Sequence, residues 1–204
     1  MKNRAIFIDR DGTLNEEVGY ITEKTQFRLF TFAAESIKMI NDAGWYAVLI
    51  TNQAGIARGH YSEEFLQGLH AQMELTLLRN GARLDAIYYC PHHPDFGEPP
   101  YRQDCNCRKP KPGLIEKAAK DFSLDLKECY VIGDRKRDLE SGQTVGTRSV
   151  LVLTGYGRAE YRDAIRQRPP DHVAENLLEA VRWIFENHAA RSPQRRSSSP
   201  IVFN

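Results

Sequence analysis

The sequence predicts a doubly wound α/β domain built on a mostly parallel central sheet. Short apolar runs of strand length alternate with segments of helical periodicity from Ala5 to beyond residue 150. Several of those runs, Ile6-Phe7-Ile8 among them, are apolar without a break, as strands covered on both faces must be. The chain has 204 residues, enough to bury one sizeable core.

Ala5 to Ile8 is the first expected strand, ended by the carboxylates and glycine of Asp9-Arg10-Asp11-Gly12. Ala33 to Ala43 has the periodicity of a helix and Tyr46 to Ile50 that of a buried strand. Glu63 to Arg79 is a second helix and Ala86 to Tyr89 a third strand. After Pro112-Gly113, Leu114 to Phe122 is helical, Cys129 to Ile132 a strand, Asp138 to Val145 a helix and Ser149 to Leu153 a strand. Leu177 to Phe185 closes the pattern as an amphipathic helix, offering Leu177, Leu178, Val181, Trp183, Ile184 and Phe185 for packing.

Residues 1–190 are expected to form a single domain, and 191–204 a disordered basic tail of Arg, Ser and Pro without acids. The formal net charge is +1, and −2 once the three tail arginines are set aside, so no nucleic-acid footprint is visible. No apolar stretch approaches the ~20 residues that cross a bilayer. Lys2-Asn3-Arg4 leads straight into a strand rather than a signal peptide, so the cytoplasm is the expected compartment. With no large apolar helix face left over, a monomer is expected.

Three expected strand ends carry polar groups, and parallel strands would aim all three into one crevice. Asp9 and Asp11 suit phosphoryl transfer, one carboxylate attacking phosphorus and binding a cation while the other moves protons to and from the ester oxygen. Thr51-Asn52-Gln53 offers a hydroxyl and successive backbone N–H groups to phosphate oxygens. Asp134, after Gly133, adds an oxygen ligand for Mg²⁺. Lys109 supplies positive charge for the transferring phosphoryl group.

The segment Pro91 to Pro112, with Cys90 at its border, holds six prolines and three of the four cysteines, and almost no apolar periodicity. Something other than a hydrophobic core must order it. Cys90, Cys105 and Cys107, with an imidazole from His92 or His93, have spacing suited to tetrahedral Zn²⁺, and four protein ligands would make that ion structural. Cys129 reads as a small buried hydrophobe, Trp45 and Trp183 as packing residues, and His60, His70, His172 and His188 show no partner pattern.

Asp9-Arg10-Asp11-Gly12-Thr13, Thr51, Lys109 and Gly133-Asp134 with Asp138 resemble the four ordered motifs of the haloacid dehalogenase (HAD) superfamily, whose fold is Rossmann-like. Thr51 to Gly59, Tyr88 to Pro94 and Cys105 to Pro110 are more specifically similar to the D-glycero-D-manno-heptose 1,7-bisphosphate 7-phosphatase family, with histidinol-phosphate phosphatases the nearest competitor. The resemblance implies a nearly capless enzyme that removes the C7 phosphate of this sugar bisphosphate during synthesis of nucleotide-activated heptose. It implies Asp9 as nucleophile, Asp11 as acid and base, Thr51 and Lys109 on the phosphoryl group, and Mg²⁺ on Asp9, the Asp11 carbonyl and Asp134. It also favours His92 as the zinc imidazole, and it places Arg10, Glu17, Gly19, Tyr20, Asn52, Gln53, Arg108 and Arg135 against the substrate. Asp138 would orient Lys109, support the residues that hold the metal, or simply stabilise a helix start. A reading from another class is a catalytically silent binding module ordered by zinc.

Overall fold

The computed structural model describes residues 3–191, so the expected tail beyond Arg191 lies outside the described residues. Six strands, β1 (Ala5–Ile8), β2 (Tyr46–Asn52), β3 (Ala86–Cys90), β4 (Tyr130–Gly133), β5 (Arg148–Val152) and β6 (His172–Ala174), form one sheet in the order β3-β2-β1-β4-β5-β6. Every pairing is parallel, with Ile6 of β1 aligned to Ala47 of β2 and Tyr130 of β4. The helices between them are α1 (Ala33–Asp42), α2 (Glu63–Arg79), α3 (Gly113–Phe122), α4 (Lys136–Gln143), α5 (Gly157–Gln167) and α6 (Leu177–Arg191).

Alternation along the strands divides the interior into two layers. Ile6 and Ile8 of β1 face the layer built with Ile37 and Ile40 of α1, Met73 and Leu77 of α2, and Leu177, Val181 and Ile184 of α6. Ala5 and Phe7 face the other layer, with Val48, Ile50, Val131 and Leu114, Ile115 and Ala118 of α3. Both sides of β1 are therefore sealed from water, and its residues Ala5 to Ile8 are fully buried.

Two elements fall outside the expected pattern. α5 is rich in Arg, Asp and Glu and β6 has only three residues, so neither shows a clear apolar period. α4 begins at Lys136, two residues earlier than expected, because the Asp138 carboxylate accepts from the Arg135 N–H and caps the turn. No helix among the described residues is long and apolar enough to cross a membrane.

Chain order reverses between β1 and β4, and at such a switch point the loops at the carboxyl ends diverge and leave a crevice. The segment from Asp9 to Phe32 contains only a short 3₁₀ turn at Lys24–Gln26, so it forms no lid domain over that crevice. Because Ile6 packs at the centre of the sheet, Ile6→Ala should lower the unfolding free energy by about 2–5 kcal/mol in urea titration. A loss under ~1 kcal/mol would show that the central layer collapses around the gap.

Candidate active site and metal centre

The Asp9 N–H donates to the Ile132 carbonyl at 3.0 Å, fastening the turn after β1 to the end of β4. Asp9, Asp134 and Asp138 thereby place carboxylate oxygens within 4.8 Å of one another, all buried. Gly12 and Gly155 close over Asp134, and Gly12 holds a φ of +85° that favours glycine. A Cβ at either glycine would lie 2.2 Å from Asp134 Oδ2. The Tyr156 N–H donates to Oδ2 at 2.8 Å, whereas the buried Oδ1 has no hydrogen-bond partner among the described residues.

Burial, together with Asp9 and Asp138, pushes Asp134 up to about 8. Burial and Asp138 likewise raise Asp9 to about 7, against the opposing pull of Lys109. Asp9 and Asp134, the latter with an orphaned oxygen, are donors suited to a hard divalent cation, which would relieve the repulsion that raises both groups. Both Asp138 oxygens, by contrast, are already taken by Lys109 and the Arg135 N–H.

Lys109 is the counter-charge already present. Its Nζ donates to Asp9 Oδ1 at 2.5 Å, Asp138 Oδ1 at 2.8 Å and the Ile50 carbonyl at 2.9 Å, with the residue 3% exposed. Burial pulls the ammonium down, but Asp138 and Asp9 outweigh it and hold Lys109 above its ordinary value. Asp138 caps α4 through Oδ2 and pairs with Lys109 through Oδ1. The Lys109 backbone is fixed by a reciprocal pair, its N–H to Asn52 Oδ1 and Asn52 Nδ2 to its carbonyl, each 3.0 Å. Asn52, expected against the substrate, borders the crevice but commits its amide to this clamp.

Asp11 sits in a different environment. Arg10 donates to both of its oxygens, Asn15 Nδ2 to Oδ1 at 3.0 Å and Gln53 Nε2 to Oδ2 at 2.9 Å. Burial would raise Asp11, but the Arg10 charge and these hydrogen bonds lower it instead. Arg10, also expected as a substrate contact, is 2% exposed and lies behind Asp11 rather than on the crevice wall, because its guanidinium is committed to Asp11, Gln53 and His70. Gln53 also donates to Thr51 Oγ1 at 2.8 Å. The Gln53 N–H is taken by the Cys90 carbonyl, so the strand end does not offer it to a phosphate.

The crevice has a volume of about 270 Å³. Asp9, Asp11, Thr51, Asn52, Gln53 and Lys109 form its floor, and Glu17, Gly19, Tyr20, Arg108 and Arg135 its rim. Tyr61, Arg137 and Tyr156 also line it and were not expected. Tyr61 donates to Gln53 Oε1 at 2.6 Å, and Tyr156 lies 3.4 Å beneath the Arg135 guanidinium. Arg137 follows the Gly-Asp motif at a two-residue spacing from Arg135, the one signal that would have found it; its Nε is buried without a hydrogen-bond partner among the described residues. Arg135 is partly neutralised, with Glu160 at 3.7 Å and Glu17 at 4.0 Å.

The proline-rich segment gathers Cys90, His92, Cys105 and Cys107 into a second cluster whose ligand atoms lie within 4.8 Å. Sulfur separations are 3.5 Å for Cys90 to Cys105 and 3.1 Å for Cys105 to Cys107, and His92 Nδ1 is 3.3 Å from Cys107 Sγ. A disulfide needs ~2.05 Å, whereas tetrahedral ligands at ~2.3 Å from a zinc ion would stand ~3.7 Å apart. All four cysteines are free thiols. Hydrogen bonds from Cys90 and Cys105 pull Cys107 down to about 5, while the hydrogen bond to Cys107, with burial, pushes Cys90 up. A thiol lowered in this way suits metal ligation. His93 is not in the cluster: its Nε2 is 3.3 Å from Arg58 Nη2, and Arg58 stacks 3.6 Å from the Phe96 ring centre, docking the loop tip.

A model of HAD-hydrolase-like proteins matches residues 106–180. The chain is 39% identical over 186 residues to D-glycero-beta-D-manno-heptose-1,7-bisphosphate 7-phosphatase of Haemophilus ducreyi, covering 90% of this chain and all of that one. It is 41% identical over 160 residues to D-glycero-alpha-D-manno-heptose-1,7-bisphosphate 7-phosphatase of Photorhabdus laumondii, covering 78% of this chain and 87% of that one. The crystal structure of D,D-heptose 1,7-bisphosphate phosphatase from B. bronchiseptica, complexed with magnesium and phosphate, superposes with a TM-score of 0.81 at 31% identity, covering 92% of this chain and 99% of that one.

Without a cation, Asp9 and Asp134 bind protons more tightly folded than unfolded. Their stabilising contribution is complete below the ordinary value of 3.8 and is lost as pH rises through about 7 and about 8. Adding Mg²⁺ to chelator-treated protein should therefore raise the melting temperature more at about pH 8.5 than at about pH 6, by ~3 °C or more. An increment independent of pH would contradict cation binding at these carboxylates.

Proposed function

The chain belongs to the D-glycero-D-manno-heptose-1,7-bisphosphate 7-phosphatases of the HAD-like hydrolases, and from that premise we propose that it hydrolyses the C7 phosphate of heptose 1,7-bisphosphate through an aspartyl-phosphate. The carrying observation is the convergence of Asp9, Asp11, Thr51 and Lys109 on one uncovered crevice whose rim adds Arg108, Arg135 and Arg137. Three guanidiniums suit a substrate with a second phosphate; an imidazole would gain nothing from them. The nucleotide-activated heptose pathway is where such a product is used.

Asp9 attacks phosphorus in line, forming the Asp9–phosphorus bond as the bond to the sugar oxygen breaks. Asp11 protonates that departing oxygen, then takes a proton from the water that attacks the aspartyl-phosphate and releases inorganic phosphate. Arg10, Asn15 and Gln53 hold the carboxyl in place for both transfers. Lys109 and the buried Thr51 hydroxyl face the equatorial phosphoryl oxygens, where negative charge is greatest. The Asp9 carboxylate, the Asp11 carbonyl and Asp134 would hold Mg²⁺, which would supply charge that offsets repulsion between nucleophile and phosphate. Glu17, Gly19 and Tyr20, on the crevice rim, would flank the sugar.

Zinc in the thiolate cluster is structural, because four protein ligands leave no open position. It acts on the crevice through the chain: Cys107 precedes Arg108 and Lys109, and Arg108 Nη1 donates to the His92 carbonyl at 3.3 Å. Thiols kept available for metal suit the reducing cytoplasm.

A phosphate-release panel with both anomers of heptose 1,7-bisphosphate and histidinol phosphate, with Mg²⁺, tests the substrate. Preferred turnover of histidinol phosphate would overturn the assignment. Asp9→Asn should lower kcat by ~10³-fold or more with little change in melting temperature, and near-full activity would remove Asp9 as nucleophile. Cys107→Ser should abolish stoichiometric zinc by elemental analysis and reduce kcat/KM by roughly 10- to 100-fold. Full activity in zinc-free protein would sever the link between cluster and crevice.

A further inference from the structure

The buried face of α2 reads Leu66, Leu69, His70, Met73 and Leu77, a stripe in which one imidazole occupies a place otherwise given to packing side chains. His70 is 6% exposed, and its Nε2 lies 3.2 Å from Nη1 of Arg10, a residue sixty positions away. A guanidinium has donors and no acceptor, so Nε2 must be the unprotonated ring nitrogen that accepts from Arg10. Burial first, and then the Arg10 charge, pushes the imidazole down to about 3, so it stays neutral and able to accept.

Arg10 carries the contact onward. Its Nη2 donates to Asp11 Oδ1 and Oδ2 at 3.0 and 2.9 Å and to Gln53 Oε1 at 3.1 Å, and its Nε to Asp11 Oδ1 at 3.1 Å. The edge of the guanidinium facing Asp11 belongs to the adjacent residue in the same turn and cannot by itself fix where the pair points. His70 ties the opposite edge to a helix packed into the core. We propose that His70 is a positioning residue for proton transfer: by holding the Arg10 guanidinium it orients the Asp11 carboxyl toward the sugar oxygen that leaves. A carboxyl that must donate to one oxygen and then accept from a water is sensitive to displacements well below 1 Å. The inference rests on Asp11 being the acid and base of the reaction.

The test compares two measurements across wild type, His70→Leu, His70→Gln, Arg10→Lys and Asp11→Asn. One is steady-state turnover of heptose 1,7-bisphosphate, whose alkoxide leaving group needs a proton. The other is single-turnover nitrophenolate release from p-nitrophenyl phosphate with enzyme in excess, a step whose leaving group departs as a stable anion. His70→Leu should lower kcat on the bisphosphate by roughly 10- to 100-fold, with KM within about threefold and nitrophenolate release nearly unchanged. His70→Gln, whose side-chain oxygen can accept from Arg10, should restore most of that loss. Arg10→Lys should show the same selective loss, and it carries the test if His70→Leu is not recovered folded. An unchanged kcat in His70→Leu, an equal loss in both measurements, or no recovery in His70→Gln would each overturn the proposal while a large loss in Asp11→Asn kept the acid/base assignment. Near wild-type turnover by Asp11→Asn would instead overturn that assignment and the inference with it.

Discussion

The Lys109 ammonium, buried among Asp9, Asp138 and the Ile50 carbonyl, is the contact on which the rest of the site depends. Three carboxylates crowd the ends of β1 and β4, and one cation does not balance them. The remainder of the charge appears as the raised Asp9 and Asp134 and the orphaned Asp134 oxygen. Such a cluster costs folding stability unless a second cation enters, so the same imbalance that strains the fold prepares a metal site. Gly12 and Gly155 let the backbone close on Asp134 Oδ2, the oxygen that the Tyr156 N–H also holds, while Oδ1 is left unpaired among the described residues.

Lys109 can reach this position only because an irregular segment is made rigid. The chain between β3 and α3 has almost no core of its own, and its order comes from the cysteine and histidine cluster at its base and the Arg58 stack at its tip. The Cys90 carbonyl receives the Gln53 N–H, and Asn52 clamps the Lys109 backbone, so cluster and catalytic floor share one hydrogen-bonded frame. A cysteine and histidine cluster more than a dozen residues across in sequence is thus joined to Lys109 through two residues of chain and the Asn52 clamp.

Asp9 and Asp11 show how two neighbouring carboxylates acquire different chemistry. Asp9 faces other acids and is raised, while Asp11 turns into a basket of donors from Arg10, Asn15 and Gln53 and is lowered. Strand geometry alone puts both at one tip; the division of environment comes from Arg10 and Asn15 within the turn and Gln53 just past β2 on the Asp11 side, and from burial beside Asp138 of α4 on the Asp9 side.

Most of the regular architecture was legible in the sequence, because buried parallel strands need unbroken apolar runs and their helices need a packed stripe. β1 and α2 fall where the periodicity placed them, and the acids at the strand tips follow from parallel topology. α5 and β6 were not legible, being too polar or too short to carry a period. The four-residue thiol and imidazole cluster was readable from spacing, which left His92 and His93 open; the family resemblance favoured His92, the imidazole that the loop's path brings to the thiols. Sequence by itself determined which chemical groups the protein brings to its crevice. Tertiary structure decided which of them face it: Arg10 turns inward to serve Asp11, Asn52 lines the crevice but commits its amide to Lys109, and Tyr61, Arg137 and Tyr156 arrive from elsewhere. Hydrogen-bond partners between residues distant in the chain settle those orientations, and no local pattern encodes a partner forty or sixty residues away.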